Sequence, residues 1–188
     1  MRRLIAFIQL TVNGYFAGGD GDIGWAHHDT QDAEWNAFVA DNVAGEALLL
    51  FGRVTYELMV SYWPTPMAAA NDPLVARYMN SLPKAVFSRS LERVDWHNTQ
   101  LIKTDLVSWV REQKQLPGKD MCILGSGSLI VQLAQAGLID EFQVSVNPVV
   151  LGGGRTIFEG LTHPVPLKLT RSRNFANGNV LLCYQPAH

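Results

Sequence analysis

The chain has 188 residues, of which 47% are hydrophobic and 17% are charged, and its formal net charge at pH 7 is −2. This composition is typical of a folded, soluble protein, and the length predicts a single domain that covers residues 1–188. The lack of a basic excess argues against nucleic acid as a partner, and no apolar run is long enough to span a membrane.

The N-terminal segment has a basic start and then an apolar stretch, which is the beginning of a signal-peptide pattern. Gln9 and Asn13 interrupt that pattern, and no small-residue cleavage site follows. Residues 4–12 fit a buried first strand instead, so we expect a cytoplasmic protein.

Short runs of β-branched and aromatic residues predict strands at residues 4–12, 47–51, 84–88, 100–102, 121–124, 141–150, 167–175 and 180–184. Helical patterns predict helices at residues 30–43, 55–60, 73–80, 106–113 and 128–136. Thr30 is a typical cap for the first helix, and Gly137 is a typical stop after the last. Pro64 and Pro66 indicate a loop within the domain.

The alternation of strands and helices predicts an α/β fold with a mostly parallel sheet and helices on both faces. The last two strands are joined by residues 176–179, which contain an Asn-Gly pair typical of a tight hairpin turn. We therefore expect a mixed sheet that ends in a C-terminal antiparallel hairpin.

Residues that suit a phosphate group follow three of the middle strands. These segments are 52–55 (Gly-Arg-Val-Thr), 88–90 (Ser-Arg-Ser) and 125–128 (Gly-Ser-Gly-Ser). Because parallel strands bring their carboxyl ends to one edge of a sheet, we expect the segments to converge there around an anion. Each segment alone also fits an ordinary turn, but their recurrence predicts a dinucleotide site. Arg53 and Arg89 favour the 2′-phosphate of NADPH over NADH.

Six segments, taken together and in this order, are specific for one group of proteins: 10–17, 52–57, 84–89, 125–129, 137–141 and 148–154. On these segments the chain resembles the dihydrofolate reductase superfamily, and within it the stand-alone proteins similar to the reductase domain of bacterial riboflavin synthesis. The resemblance implies a dihydrofolate reductase-like three-layer fold with about eight strands and NADPH across the carboxyl edge. It also implies a homodimer, to which residues 144–151 would contribute an apolar face.

The resemblance further implies which residues meet the cofactor. Val12 and Trp25 would lie near the nicotinamide. The phosphates would be held by residues of the three strand ends, namely Gly52, Arg53, Thr55, Ser88, Arg89, Gly125, Ser126, Gly127, Ser128 and Leu129.

Two positions depart from the family pattern. The family usually has aspartate where this chain has Asn13, and riboflavin-pathway reductases carry a substrate-facing glutamate where this chain has Leu124. We therefore expect a different substrate, with Asn13 as a candidate substrate contact or catalytic group.

Dihydrofolate reductases place a carboxylate on the first helix, for which Asp32 and Glu34 are candidates. Both also fit acids that favour a helix N-terminus.

Aromatic and histidine residues provide the remaining candidates. Tyr56 and Trp63 would stack on a flat substrate ring, although both also fit the core or its rim. His27 and His28 have no further ligand at metal-binding spacing, so we expect no metal.

These observations predict an NADPH-dependent reductase that delivers a hydride to a small, heterocyclic substrate of the pterin, folate or pyrimidinone type. Two alternatives stay open. One is an NADP-binding or metabolite-sensing module without catalysis, which Asn13 and Leu124 favour. The other is a genuine dihydrofolate reductase.

Overall fold

The protein is described by a computed structural model that covers residues 1–26, 32–44 and 48–187. Its strands are β1 (Leu4–Thr11), β2 (Tyr15–Ala17), β3 (Leu48–Gly52), β4 (Lys84–Phe87), β5 (Thr99–Ile102), β6 (Met121–Leu124), β7 (Glu141–Asn147), β8 (Arg155–Thr156), β9 (Leu167–Asn174) and β10 (Val180–Pro186). Its helices are α1 (Ala33–Ala44), α2 (Arg53–Tyr62), α3 (Pro66–Asn71), α4 (Pro73–Ser81), α5 (Leu106–Gln115) and α6 (Gly127–Gln135). The predicted cap Thr30, the pair His27 and His28, and Ala47 lie outside the described residues.

Eight of these strands form one sheet in the order β5-β4-β3-β6-β1-β7-β10-β9. Strands β5, β4, β3, β6, β1 and β7 are parallel to one another, whereas β10 is antiparallel to both β7 and β9. The predicted mixed sheet with a C-terminal antiparallel hairpin is confirmed. All the parallel strands therefore present their carboxyl ends at one edge, which we call the carboxyl edge.

The central strands are almost wholly apolar because helices cover both faces of the sheet. On one face, Leu106, Val110 and Leu133 of α5 and α6 pack into a core that includes Ile8 and Ile123 of the sheet. On the other face, α1, α2 and α4 pack against a second set of sheet side chains, which includes Leu49, Phe51, Val86, Leu181 and Cys183. Among the described residues, no helix is long and apolar enough to cross a membrane.

The segment around Pro64 and Pro66 differs from the predicted loop, because it contains the short helix α3. Oγ1 of Thr65 accepts a hydrogen bond from the backbone N–H of Ala68 (3.2 Å), and Pro66 occupies the first helical position. Proline is tolerated there because the N–H it lacks would have no helical partner.

The expected apolar dimer face at residues 144–151 is not supported in the part that belongs to β7. That strand lies inside the sheet between β1 and β10, and Val144 is 9% exposed. Beyond the strand, Val150 is 68% exposed. The homodimer itself stays a prediction that light scattering would test.

Candidate functional site

The hydroxyl group of Ser126 joins the carboxyl ends of β3 and β6. Its Oγ accepts a hydrogen bond from the backbone N–H of Gly52 (2.9 Å) and donates one to Oγ1 of Thr55 (2.8 Å). Gly52 ends β3, and Ser126 immediately precedes α6. One buried side chain therefore fixes the start of α2 against the start of α6.

The backbone at this junction has an unusual conformation. Gly125 and Ser126 have φ angles of +67° and +63°, in the left-handed region that favours glycine. A Cβ on Gly125 would meet no atom within 4 Å, so this residue faces open space. A Cβ on Gly52 would lie 3.2 Å from Cδ1 of Leu129, so glycine at 52 allows β3 to pack closely on α6. The junction is closely packed on its inner side and open on its outer side.

A cavity of about 350 Å³ lies beside this junction, at the ends of β4 and β5. Its walls include four residues predicted to contact the cofactor: Ser88, Arg89, Ser128 and Leu129. Oγ of Ser88 accepts hydrogen bonds from the backbone N–H groups of Ser90 (3.2 Å) and Leu91 (3.0 Å), so it shapes the turn that carries Arg89. The predicted residues of β4 and α6 thus share one cavity.

The side of this cavity that follows β5 was not predicted from the sequence. Lys103, Thr104 and Asp105 line it. Asp105 caps α5 by accepting the backbone N–H of Ser108 (2.8 Å). Hydrogen bonds from Ser108, and then the nearby charges of Arg111 and Arg89, lower the pKa of Asp105. The cavity therefore combines two cationic side chains, Arg89 and Lys103, with one carboxylate.

Two further predicted cofactor residues are exposed at the carboxyl edge. Arg53 opens α2 and forms an ion pair with Glu57 (2.8 Å), with both side chains nearly half exposed. Exposed pairs of this kind contribute about 0–1 kcal/mol, so the Arg53 guanidinium can exchange Glu57 for a phosphate. Val12 directly follows β1 and is 61% exposed.

Asn13 uses its side-chain amide to hold a loop. Its Oδ1 accepts hydrogen bonds from Oγ1 of Thr11 (2.9 Å) and the backbone N–H of Leu151 (3.3 Å). Its Nδ2 donates to the carbonyl oxygen of Leu151 (2.7 Å). Both ends of the amide are therefore occupied within the protein, and a substrate or catalytic role of Asn13 stays a prediction.

The two acidic candidates on the first helix also have structural partners. Asp32 caps α1, accepting the backbone N–H groups of Glu34 (2.9 Å) and Trp35 (3.0 Å), and it also accepts that of Asn177 (2.9 Å). The hydrogen bond from Trp35, followed by that from Asn177, lowers the pKa of Asp32, so it is a carboxylate at neutral pH. Glu34 forms an exposed ion pair with Arg173 (2.5 Å).

The two aromatic candidates lie away from the open edge. Tyr56 is 5% exposed, its hydroxyl oxygen accepts the backbone N–H of Asp95 (3.1 Å), and its ring packs near Trp96. Trp63 follows the last turn of α2, about 15 Å from Arg53 at the helical rise, and its Nε1 donates to Sδ of Met59. The structure thus places Tyr56 in the core and Trp63 just beyond α2, and contact of either ring with a substrate stays a prediction.

Other reactive groups do not converge in the described part of the chain. No three His, Cys, Asp or Glu side chains come together there as a metal site would require. Cys122 and Cys183 are buried free thiols, and burial raises the pKa of Cys122 to about 12. Because both thiols are buried, neither is accessible as a nucleophile.

A comparison with protein families shows to which family the chain belongs. The profile of the RibD C-terminal domain matches residues 2–181. The chain belongs to the RibD C-terminal domain family. The chain is also similar to the uncharacterized protein YyaP of Bacillus subtilis (strain 168), with 30% identity over 183 residues that cover 97% of this chain and 94% of the relative.

Solved structures share the fold of this RibD C-terminal domain protein. A Shewanella sp. PV-4 protein named for riboflavin biosynthesis matches with a TM-score of 0.74 and 21% identity, covering 99% of both chains. Dihydrofolate reductase from Enterococcus faecalis, solved with NADP(H), matches with a TM-score of 0.65 and 12% identity, covering 99% of this chain and 97% of the other. The predicted dihydrofolate reductase-like fold is confirmed.

Proposed function

We propose that this protein is an NADPH-dependent reductase that acts on a small heterocyclic substrate. The observation that carries the proposal is the junction built by Ser126, which holds the ends of β3 and β6 together beside a cavity lined by Arg89 and Lys103. Membership of the RibD C-terminal domain family supports a reductase, and the Enterococcus structure with NADP(H) supports the choice of cofactor.

The residues of the carboxyl edge fit a dinucleotide in three ways. The open position of Gly125 lets a pyrophosphate approach the backbone closely. Helices α2 and α6 begin at this edge, and their N-termini favour anions. Arg89 and Lys103 supply positive charge in the neighbouring cavity, which suits a 2′-phosphate.

When bound, NADPH supplies a hydride to the carbon of a C=N or C=O bond, and the nitrogen or oxygen then takes up a proton. The protein must orient the two partners and exclude bulk water. Asp32 is held as a carboxylate by its hydrogen bonds, and both ends of the Asn13 amide are occupied. We therefore assign the proton to water rather than to either residue.

A fluorescence titration tests cofactor choice. NADPH and NADH are titrated into the native protein, into Arg89→Ala, and into Arg93→Ala as a control. Arg93 is exposed and pairs with Asp95 (3.4 Å). Loss of a charge-assisted hydrogen bond costs about 1.5–3 kcal/mol, so Arg89→Ala should weaken NADPH binding at least about tenfold and leave NADH binding unchanged. Equal binding of NADPH by Arg89→Ala and the native protein would contradict the assignment.

A second candidate function is a module that binds NADP(H) without catalysis. The structural use of Asn13 and the low pKa of Asp32 favour it, because neither group is available to donate a proton. Following NADPH absorbance with a panel of pterins, folates and pyrimidinones separates the two, since a sensor would bind NADPH without oxidising it. Dihydrofolate belongs to the panel and tests dihydrofolate reductase activity, which membership of the RibD C-terminal domain family does not favour.

A further inference from the structure

Asp105 is the one acidic side chain among the described residues that line the cavity at the ends of β4 and β5. It immediately precedes α5, and its Oδ1 accepts a hydrogen bond from the backbone N–H of Ser108 (2.8 Å). This hydrogen bond holds the carboxylate at the start of the helix. A negative charge therefore has a fixed place in the wall of the cavity to which the proposed function assigns the 2′-phosphate.

The cap of α5 does not require this negative charge. Asparagine, serine and threonine accept the same backbone N–H group at a helix N-terminus about as well as aspartate does. The charge of an acidic cap adds only a small interaction with the helix dipole, and Asp105 is exposed, so water and salt screen that interaction. The cavity is therefore where the charge of Asp105, as distinct from its capping oxygen, has a consequence.

The two cations of the same cavity are not neutralised by ion pairs. Arg89 follows β4 and Lys103 follows β5, and neither forms an ion pair in the described part of the chain. Hydrogen bonds from Ser108, and then the charges of Arg111 and Arg89, lower the pKa of Asp105, so it is a carboxylate at neutral pH. Two cations and one carboxylate thus act on the same ligand.

The charges of this cavity favour different cofactors. Beside the ribose of a dinucleotide, a carboxylate accepts a hydrogen bond from the 2′-hydroxyl group of NADH, whereas arginine favours the 2′-phosphate of NADPH. A phosphate monoester carries about 1.5–2 negative charges at pH 7. It is therefore attracted by Arg89 and Lys103 and repelled by Asp105.

We infer that Asp105 is a specificity-determining residue of this cavity, and that its negative charge narrows the preference for NADPH over NADH that Arg89 and Lys103 produce. This inference rests on the proposed function, because it takes the cavity as the place of the 2′-phosphate. It follows that the native protein holds NADPH less tightly than the same cavity with a neutral cap on α5 would.

The substitution Asp105→Asn isolates the charge, because asparagine caps a helix as well as aspartate does. NADPH, NADH and the fragment 2′,5′-ADP are titrated by calorimetry into the native protein and the variant. At low ionic strength, Asp105→Asn should bind NADPH and 2′,5′-ADP about three- to tenfold more tightly, because one charge that repels the phosphate in a water-filled cavity is removed. The binding of NADH should not tighten.

The salt dependence of the gain is a second readout, which a merely structural role of Asp105 would not change. The Debye length falls from about 30 Å at 0.01 M salt to about 3 Å at 1 M salt, so the gain of Asp105→Asn should nearly disappear at the higher concentration. Asp95→Asn is the matched control, because it makes the same change of charge at an exposed position that precedes β5. It should bind both cofactors as the native protein does.

The variant Asp105→Ala separates the charge from the cap. It removes both the carboxylate and the acceptor of the Ser108 N–H, so its melting temperature should fall below that of Asp105→Asn. The melting temperature of Asp105→Asn should stay close to that of the native protein. Both variants should nevertheless bind NADPH more tightly than the native protein, because both lack the negative charge.

Three results would overturn the inference and leave the proposed function standing. These are native NADPH binding that Asp105→Asn does not strengthen, an equal gain in the binding of NADH, and a gain that persists at high salt. If neither the native protein nor Asp105→Asn binds NADPH or 2′,5′-ADP, the proposed function and the inference both fail. The two failures are therefore distinguished by the titration of the native protein.

Discussion

Replacing Ser126 with alanine tests the junction on which the proposed cofactor site depends. The substitution removes the acceptor of the buried Gly52 N–H, and an unsatisfied buried group costs about 1–3 kcal/mol. It also removes the hydrogen bond to Thr55, which contributes about 0.5–1.5 kcal/mol, although Thr55 is partly exposed and can turn to water. We expect Ser126→Ala to lower the free energy of unfolding by about 2–3 kcal/mol.

Ser126→Gly provides the matched comparison. It loses the same two hydrogen bonds but relieves the left-handed backbone, which costs a non-glycine residue about 1–2 kcal/mol. Ser126→Gly should therefore be about 1 kcal/mol more stable than Ser126→Ala. The difference between the two variants measures backbone strain separately from hydrogen bonding.

Urea unfolding followed by circular dichroism measures these differences. Ser128→Ala, two residues further along, is the control for stability and should lie within about 0.5 kcal/mol of the native protein. The reasoning is refuted if Ser126→Ala is as stable as Ser128→Ala, or if Ser126→Gly is less stable than Ser126→Ala.

Three further predictions address other parts of the structure. Gly154→Ala would place a Cβ 2.3 Å from the carbonyl oxygen of Ala17 and should lower the free energy of unfolding by about 1–3 kcal/mol. In the control Gly153→Ala the Cβ meets no atom within 4 Å, so the free energy of unfolding should hardly change in the same urea assay. Burial lowers the pKa of Lys84 to about 8, so between pH 8 and the ordinary pKa of lysine the unfolded chain binds more protons than the folded one. The stability of the native protein relative to Lys84→Met should therefore rise with pH over that range. A fall in this relative stability would contradict the assignment. Hydrogen bonds lower the pKa of Asp32 in the folded protein, so the stability that this carboxylate provides is lost as the pH falls through that lowered pKa. The melting temperature of Asp32→Ala should therefore decline less steeply toward acid pH than that of the native protein.

The sheet was predictable because its strands are short apolar runs separated by helical patterns. Residues 121–124 were predicted with the observed bounds of β6, and the Asn-Gly turn identified the hairpin of β9 and β10. The strands β2 and β8 were not predicted, because two or three residues carry no periodicity. They pair with each other, Tyr15 with Thr156 and Ala17 with Arg155, across a long separation in sequence.

The candidate site was predictable only in part. The segments after β4 and β6 predicted Arg89 and Ser126, but the segment after β5, where Lys103 lies, has no glycine or serine to mark it as a phosphate site. Ser126 turned out to bond to the protein itself rather than face outward. Tyr56 directly follows residues 52–55, which were predicted to bind a phosphate, yet the helical turn of α2 directs its side chain into the core.

The burial of the polar side chains of β7 could not be predicted from sequence, for a physical reason. In β7, polar and apolar residues alternate, a pattern that usually indicates a strand with one face in water. Ser145 and Asn147 are buried because β7 lies between β1 and β10 and its polar face is covered. Only the strand order shows that this polar face is internal.

The most direct test of the account is a titration of the native protein with NADPH and NADH, followed by protein fluorescence. The account predicts saturable binding of NADPH well below about 1 mM, weaker binding of NADH, and loss of that preference in Arg89→Ala. The absence of NADPH binding at that concentration, or equal affinity for the two cofactors, would contradict it.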